Sequence, residues 1–312
     1  MSKIAFLFSG QGAQYEGMGK EFYEKFEVSK DIFEIANKEL GFSVSDICFY
    51  NTEDKLNKTE YTQPCIVTTN MAILKALESA GIKSDISCGL SLGEYSALIN
   101  NKVISFEDTV TLVKKRGKFM QEAVADGIGG MVAVLKFSKE ELEKIILNVP
   151  GIVEIANYNS PSQIVISGEL KALEIASEMI KEQGGRAIKL NVSAPFHSSM
   201  LESAATNLFE ELENIDINKP VGVVMSNFKG TEYKSDDNIK EILKEQVKSS
   251  VLFVDNIEYM KSLGVDIFVE IGPGKVLSGF VRKIDKSLTV LNVEDLKSFE
   301  NTIETLKQME VI

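Results

Sequence analysis

Asp85-Ile86-Ser87-Cys88-Gly89-Leu90-Ser91-Leu92-Gly93-Glu94 is the stretch that decides the fold. Ile86 to Cys88 reads as a short buried strand, and Leu92 to Ile99 reads as a helix. Between them lies Gly89-Leu90-Ser91-Leu92-Gly93, a Gly-x-Ser-x-Gly pattern. A serine on so sharp a strand-to-helix turn stands exposed, and the glycines leave room for the tight backbone. Backbone N–H groups at the helix start point at whatever binds there and can hold an oxyanion beside the serine. The five letters alone are common, and an ordinary glycine-rich turn with a capping serine carries the same ones. Cys88 is a rival nucleophile, but a thiol on a buried strand is inert.

Upstream, Ile4 to Phe8 is an apolar run that stops at Ser9-Gly10 and predicts a buried strand. Met18 to Leu40 carries helical signals, and Cys65 to Ala80 has helical apolar spacing that stops at Gly81. Downstream, Phe106, Val110, Val113, Met120 and Val124 share one stripe of a further helix. Then the rhythm changes. Met131 to Leu135 is strand-like, and Ser138 opens a helix with Glu141 three positions on, a capping-box pattern. Val153–Ala156 and Gln163–Ser167 predict two strands around a turn at Asn159-Ser160-Pro161. An amphipathic helix over Leu170–Lys181, stopped by Gly184-Gly185, and a strand over Ala187–Val192 complete the order β-α-β-β-α-β. Residues 128–195 are therefore expected to form a ferredoxin-like small subdomain inserted into a large α/β catalytic domain of residues 1–127 and 196–312. After the insertion come a helix from Met200 to Leu212, a strand from Val221 to Met225, and a helix from Ile239 to Val247. A strand from Ile267 to Ile271 and a helix from Val276 to Ile284 follow. Strands alternating with helices predict a parallel sheet covered on both faces.

Composition narrows the function. The 312 residues are 44% hydrophobic and 26% charged, as in ordinary globular chains, and the net charge is −12. A net acidic chain repels phosphate backbones, so nucleic acid is not an expected partner. The longest uncharged runs, Tyr61–Leu74 and Ile155–Gly168, are 14 residues each and include polar side chains. A membrane-spanning helix needs about 20 mostly apolar residues, and the apolar N-terminal stretch is too short for a secretion signal. A soluble, cytoplasmic protein is expected. Three cysteines without a CxxC pair and a single histidine argue against a disulfide scaffold, a zinc site or any metal centre.

That histidine, His197, is the one available imidazole base. It follows Ala194-Pro195-Phe196 and precedes the helical spacing of Met200, Leu201, Ala204 and Leu208. A position near a helix N-terminus disfavours imidazolium and would keep the ring able to accept a proton. Because Ser91 and His197 both follow strands and precede helices, they are expected to share the carboxyl edge of one parallel sheet. Arg116 lies about 60° from the apolar stripe of its helix, whereas Lys114, Lys115 and Lys118 fall on the opposite face. A cation pushed toward the apolar side needs an anion, and its planar fork suits a carboxylate. An internal salt bridge and a bound ligand satisfy that need equally well. Gly10-Gln11-Gly12 after the first strand invites a dinucleotide reading that fails, because the third glycine would fall at Tyr15.

Taken in order, the landmarks are Phe8-Ser9-Gly10-Gln11-Gly12-Ala13-Gln14, Tyr61-Thr62-Gln63-Pro64, Gly89 to Tyr95 and Arg116-Gly117-Lys118-Phe119-Met120. Asn157-Tyr158-Asn159-Ser160-Pro161, Ala194-Pro195-Phe196-His197, Gln246 and Glu270-Ile271-Gly272-Pro273-Gly274 follow. Over nearly its whole length the chain resembles the malonyl-CoA:acyl carrier protein transacylases, stand-alone enzymes of bacterial fatty acid synthesis. The resemblance implies a hydrolase-like parallel-sheet core with the ferredoxin-like insertion. It implies Ser91 as the acylated nucleophile, His197 as the base, and the backbone carbonyl of Gln246 in place of an aspartate. The N–H groups of Gln11 and Leu92 would form the oxyanion hole. Arg116 would hold the malonyl carboxylate, with Met120 and Phe196 also at the substrate and Phe196 marking a pocket too small for methylmalonyl groups.

The implied activity moves malonyl from malonyl-CoA to the phosphopantetheine thiol of holo acyl carrier protein through a malonyl-serine. Malonyl-CoA is a substrate, and no permanently bound cofactor is implied. A monomer is expected. The carrier protein is acidic, so a local basic surface is expected near the serine, with Lys189, Arg282 or Lys283 as contributors. Many relatives have His where this chain has Leu90. The competing readings are a trans-acting polyketide acyltransferase, a serine esterase or thioesterase, and a non-catalytic module that binds CoA or a carrier protein.

Overall fold

The computed structural model describes residues 2–192 and 194–312; Met1, the first residue of the expected large domain, and Ser193 lie outside the described residues. In chain order the strands described are Lys3–Phe8 (β1), Ile86–Gly89 (β2), Gly129–Leu135 (β3), Val153–Ser160 (β4) and Gln163–Glu169 (β5). Arg186–Lys189 (β6), Val223–Val224 (β7), Val265–Ile271 (β8) and Thr289–Val293 (β9) complete the set.

β1 is buried from Ile4 to Phe8, the pattern of a central strand covered on both faces. It pairs in parallel with β2 on one side and β8 on the other, and the sheet runs β7-β2-β1-β8-β9, parallel throughout. Side chains alternate along the strand. Phe6 and Phe8 enter the larger core cluster with Phe22, Phe33 and Met71, while Ala5 and Leu7 enter a second core with Phe253, Phe268 and Phe280. Strand order reverses at β1, which opens a crevice at the carboxyl ends of β1, β2 and β8.

The second sheet runs β4-β5-β3-β6 and is antiparallel in every pair, the order of a split β-α-β unit. The helices Lys139–Ile146 and Leu170–Glu182 supply Leu142, Ile145, Leu173, Ala176 and Ile180 to a separate core beneath it. The expected capping box is present, with Ser138 accepting from the Glu141 N–H and Glu141 from the Ser138 N–H. The small sheet is tied through β4 to the loop after the helix Ile239–Lys248, which carries Gln246: the Tyr158 N–H donates to the Val251 carbonyl at 2.9 Å, and the Val251 N–H to the Ala156 carbonyl at 2.8 Å.

Several expected elements differ in extent. The helical stretch from Met18 to Leu40 is two helices, Lys20–Lys25 and Glu27–Leu40, broken at an extended Phe26. The break lets Phe26 stack on Phe22 and meet Phe299, with ring centroids 6.0 and 5.3 Å apart. The helix expected from Cys65 begins at Thr59 and carries Pro64 inside it. The strand expected to reach Val192 ends at Lys189, after which Leu190, Asn191 and Val192 cross over as cavity wall. The strand expected over Val221–Met225 shrinks to two residues at the sheet edge. The helices Val44–Tyr50, Phe253–Ser262 and Leu296–Gln308 and the strand β9 gave no signal that was read from the sequence.

Candidate active site

Ser91 sits between β2 and the helix Gly93–Asn100 with φ of +51°, the strained left-handed region that a sharp turn requires. The turn exists because three backbones nearly touch. A Cβ on Gly93 would lie 2.1 Å from the Phe8 carbonyl oxygen, and one on Gly89 would lie 2.0 Å from the Gly93 carbonyl carbon. Asn227, just past β7, clamps the same turn. Its Oδ1 accepts from the Ser91 N–H at 2.6 Å, and its Nδ2 donates to the Gly89 carbonyl at 2.8 Å and to Asn256 Oδ1 at 3.0 Å.

Ser91 Oγ lies 2.7 Å from His197 Nε2. His197 Nδ1 lies 2.9 Å from the Gln246 carbonyl oxygen. A carbonyl only accepts, so Nδ1 carries the proton and Nε2 presents a lone pair to the serine hydroxyl. His197 is 5% exposed, and its pKa is pushed down to about 4, first by burial and then by the Arg116 charge. The expected cause, a helix dipole, is replaced by these two: the α-helix begins only at Glu202, behind a 3₁₀ turn. The expected route is also corrected. His197 does not follow a strand of the parallel sheet. It is delivered by the return of the chain from β6 of the small sheet, with φ of +59°.

Arg116 is 1% exposed. Its Nη1 donates to Gln63 Oε1 at 2.9 Å, and its Nη2 donates to Ser91 Oγ at 3.2 Å and to Gln246 Oε1 at 3.1 Å. The guanidinium lies 5.2 Å from the Tyr95 ring centroid, and its Nε has no hydrogen-bond partner among the described residues. Of the two readings left open by the spacing, the internal salt bridge is absent among the described residues: no carboxylate approaches within 4.0 Å. The cation is held by neutral oxygens alone, and burial lowers its pKa.

Glu94 is a buried carboxylate near the serine turn, and its hydrogen-bond partners do not include the histidine. It accepts from the Tyr233 hydroxyl, from Gln246 Nε2 at 2.7 Å and from the Asn227 N–H at 3.0 Å, while burial raises its pKa. Gln246 Nε2 also donates to the Ser91 carbonyl at 3.0 Å. The Gln246 side chain thus braces the serine turn and the arginine while its main chain orients the histidine. Gln63 and Glu94 stand within the sequence landmarks but carry no role there, and Asn227 does not figure in them. Glu94 reads there as an ordinary first-turn acid, and the signal for Asn227 was its place past the end of a parallel strand.

The N–H groups of Gln11 and Leu92 are unengaged among the described residues, and both positions adjoin the serine turn, one past β1 and one past β2. A cavity of about 770 Å³ opens over Ser91, between the carboxyl ends of the parallel strands and the inner face of the small sheet. Gln11, Arg116, Met120, Phe196, His197 and Lys283 are among its walls. Lys189 and Arg282 are exposed and lie outside it. Cys88 is fully buried, with its thiol pKa pushed up by burial, which makes it no rival to Ser91.

Residues 5–306 match the model of the acyl transferase domain family. The chain is 44% identical over 312 residues to the malonyl CoA-acyl carrier protein transacylase of Bacillus subtilis, covering 99% of this chain and 98% of that one. Its fold superposes on the crystal structure of malonyl CoA-acyl carrier protein transacylase from Clostridium perfringens with a TM-score of 0.98 at 64% identity, covering 99% of both. It also superposes, with a TM-score of 0.94 at 35% identity, on a malonyl-transacylase solved with its holo type II polyketide acyl carrier protein, covering 97% of this chain and 100% of that one. A serine–histidine pair beside a buried guanidinium, in a fold shared over at least 97% of the chain with these enzymes, places the chain in the malonyl CoA-acyl carrier protein transacylase family of acyl transferases.

Proposed function

We propose that this protein transfers malonyl groups from malonyl-CoA to the phosphopantetheine thiol of holo acyl carrier protein, supplying fatty acid synthesis. The observation that carries the reading is a buried guanidinium with no carboxylate partner among the described residues, 3.2 Å from an oxygen that is itself 2.7 Å from a neutral imidazole. One methylene separates the two carbonyl carbons of a malonyl thioester. A cation beside the nucleophile therefore meets the carboxylate as the serine meets the thioester carbon.

Ser91 Oγ attacks the thioester carbon while its proton passes to His197 Nε2. The Gln11 and Leu92 N–H groups hold the tetrahedral oxyanion. Collapse breaks the carbon–sulfur bond, and the coenzyme A thiolate leaves with the proton from His197. The carrier-protein thiol then gives its proton to His197 and attacks the malonyl-serine, and the serine oxygen departs with that proton. The Gln246 carbonyl steadies the imidazolium in each half. Acetyl-CoA leaves Arg116 unpaired and is discriminated against for that reason. Met120 and Phe196 narrow the acyl end of the pocket. Lys283 at the cavity wall, with exposed Lys189 and Arg282 farther out, offers cations to an acidic carrier protein.

Residues 128–195 act as the small subdomain that roofs the site. Every group named comes from one chain, so a monomer is a complete catalyst. No helix among the described residues is long and apolar enough to cross a membrane, in keeping with work in the cytoplasm. Intact mass after incubation with malonyl-CoA tests the reading. One malonyl group should appear on the protein and be discharged by holo carrier protein, and Ser91→Ala should stay unmodified. Absence of the adduct on the native protein overturns it, and rapid loss to water without carrier protein points to a hydrolase.

A further inference from the structure

Asn159 has no role in the chemistry above, yet it is built into the cavity wall. It lies on β4 of the small sheet, two positions from Asn157, at a register irregularity between Tyr158 and Ser160. Asn157, Asn159 and Gln163 all line the cavity that contains Ser91. Asn159 is 6% exposed. Its Nδ2 makes one long contact, 3.5 Å to Gln163 Oε1, and its Oδ1 has no hydrogen-bond partner among the described residues. A buried amide oxygen left without a donor is costly, and such groups recur where a ligand supplies the missing partner. The opposite face of the strand is ordinary: Tyr158 lies there under the Lys139 ammonium, 4.5 Å from the ring centroid.

We propose that Asn159 Oδ1 accepts the amide N–H nearest the thioester in the arm that carries the acyl group, making Asn159 a specificity-determining residue for amide-bearing thioesters. The inference rests on the proposed transacylation, because both of its substrates present the same arm to the same cavity. That amide nitrogen stands two carbons from the sulfur, so a thioester at Ser91 necessarily carries it into the cavity. Coenzyme A and the carrier-protein prosthetic group are identical over this stretch. One acceptor on the small sheet therefore serves loading and unloading alike. Arg116 reads the acyl group; Asn159 reads the thiol side.

The test compares two small malonyl donors that differ in one atom: the malonyl thioester of N-acetylcysteamine, and its isostere with an ester oxygen in place of the amide N–H. The native protein should use the amide donor about tenfold or more better in kcat/KM, since the ester leaves the buried acceptor unpaired. In Asn159→Ala the ratio should fall to about one, with the loss confined to the amide donor. A ratio from a single preparation is independent of its active fraction, and the native comparison needs no variant at all. A native ratio near one, or a ratio that survives Asn159→Ala, overturns the proposal. If neither donor nor malonyl-CoA acylates Ser91, the transacylation reading itself has failed, a result distinguishable from either.

Discussion

Replacing Arg116 by Met separates a ligand-holding cation from a structural one. In the folded protein Arg116 makes three hydrogen bonds to neutral oxygens and no ion pair among the described residues. A malonyl carboxylate would add two charge-assisted bonds, each worth about 1.5–3 kcal/mol. Their loss in Arg116→Met is about 3–6 kcal/mol of transition-state stabilisation, or roughly a hundredfold to ten-thousandfold in kcat/KM for malonyl-CoA. Acetyl-CoA makes neither bond, so its rate should hold or rise and the malonyl-to-acetyl ratio should collapse. Stability should respond differently. Removing a buried cation that has no ion-pair partner among the described residues relieves a desolvation cost, while the Gln63 and Gln246 side-chain amide oxygens it leaves cost about 1–3 kcal/mol each. The net change should stay within about 2 kcal/mol, whereas breaking a buried ion pair costs about 3–5 kcal/mol. Steady-state rates with both donors and urea unfolding of the same preparations measure the two quantities. An unchanged donor ratio, or a stability loss above that window, refutes the assignment.

Two further predictions concern the histidine and the serine turn. The His197 pKa falls from 6.5 to about 4 on folding. The unfolded chain thus takes up a proton below pH 6.5 that the folded one refuses until about pH 4, and stability should drop across that window by about 3 kcal/mol as pH falls. His197→Gln should remove this part of the acid dependence, which unfolding at pH 4 and pH 7 will show; an identical pH difference in both proteins counts against it. Gly93→Ala would place a Cβ 2.1 Å from the Phe8 carbonyl oxygen and 3.1 Å from that of Ser9, both backbone atoms that cannot step aside. It should cost about 1–3 kcal/mol or more in urea unfolding and misplace Ser91 enough to slow acylation at least about tenfold; native-like stability and rate would mean that the turn is looser than drawn.

The sequence by itself determined the local units. Apolar runs ending in glycine mark β1 and β2, the Ser138–Glu141 box starts its helix, and the β-α-β-β-α-β rhythm marks the small sheet, because each rests on neighbours within a few positions. It also supplied the short inventory of reactive groups: one imidazole, one serine on a tight turn, one arginine out of place on its helix. What it lacked was distance. Phe26 breaks a helix for the sake of rings at Phe22 and Phe299, which no local pattern contains. His197 reaches Ser91 across 106 positions along the chain that returns from the inserted sheet, rather than from the parallel edge that spacing suggested. Only the tertiary structure decided that Arg116 meets no carboxylate among the described residues, that Glu94 turns toward Tyr233 and Gln246, and that Asn227 clamps the serine turn. Burial and long-range hydrogen bonds set these partners, and both are properties of the packed chain rather than of any segment in it.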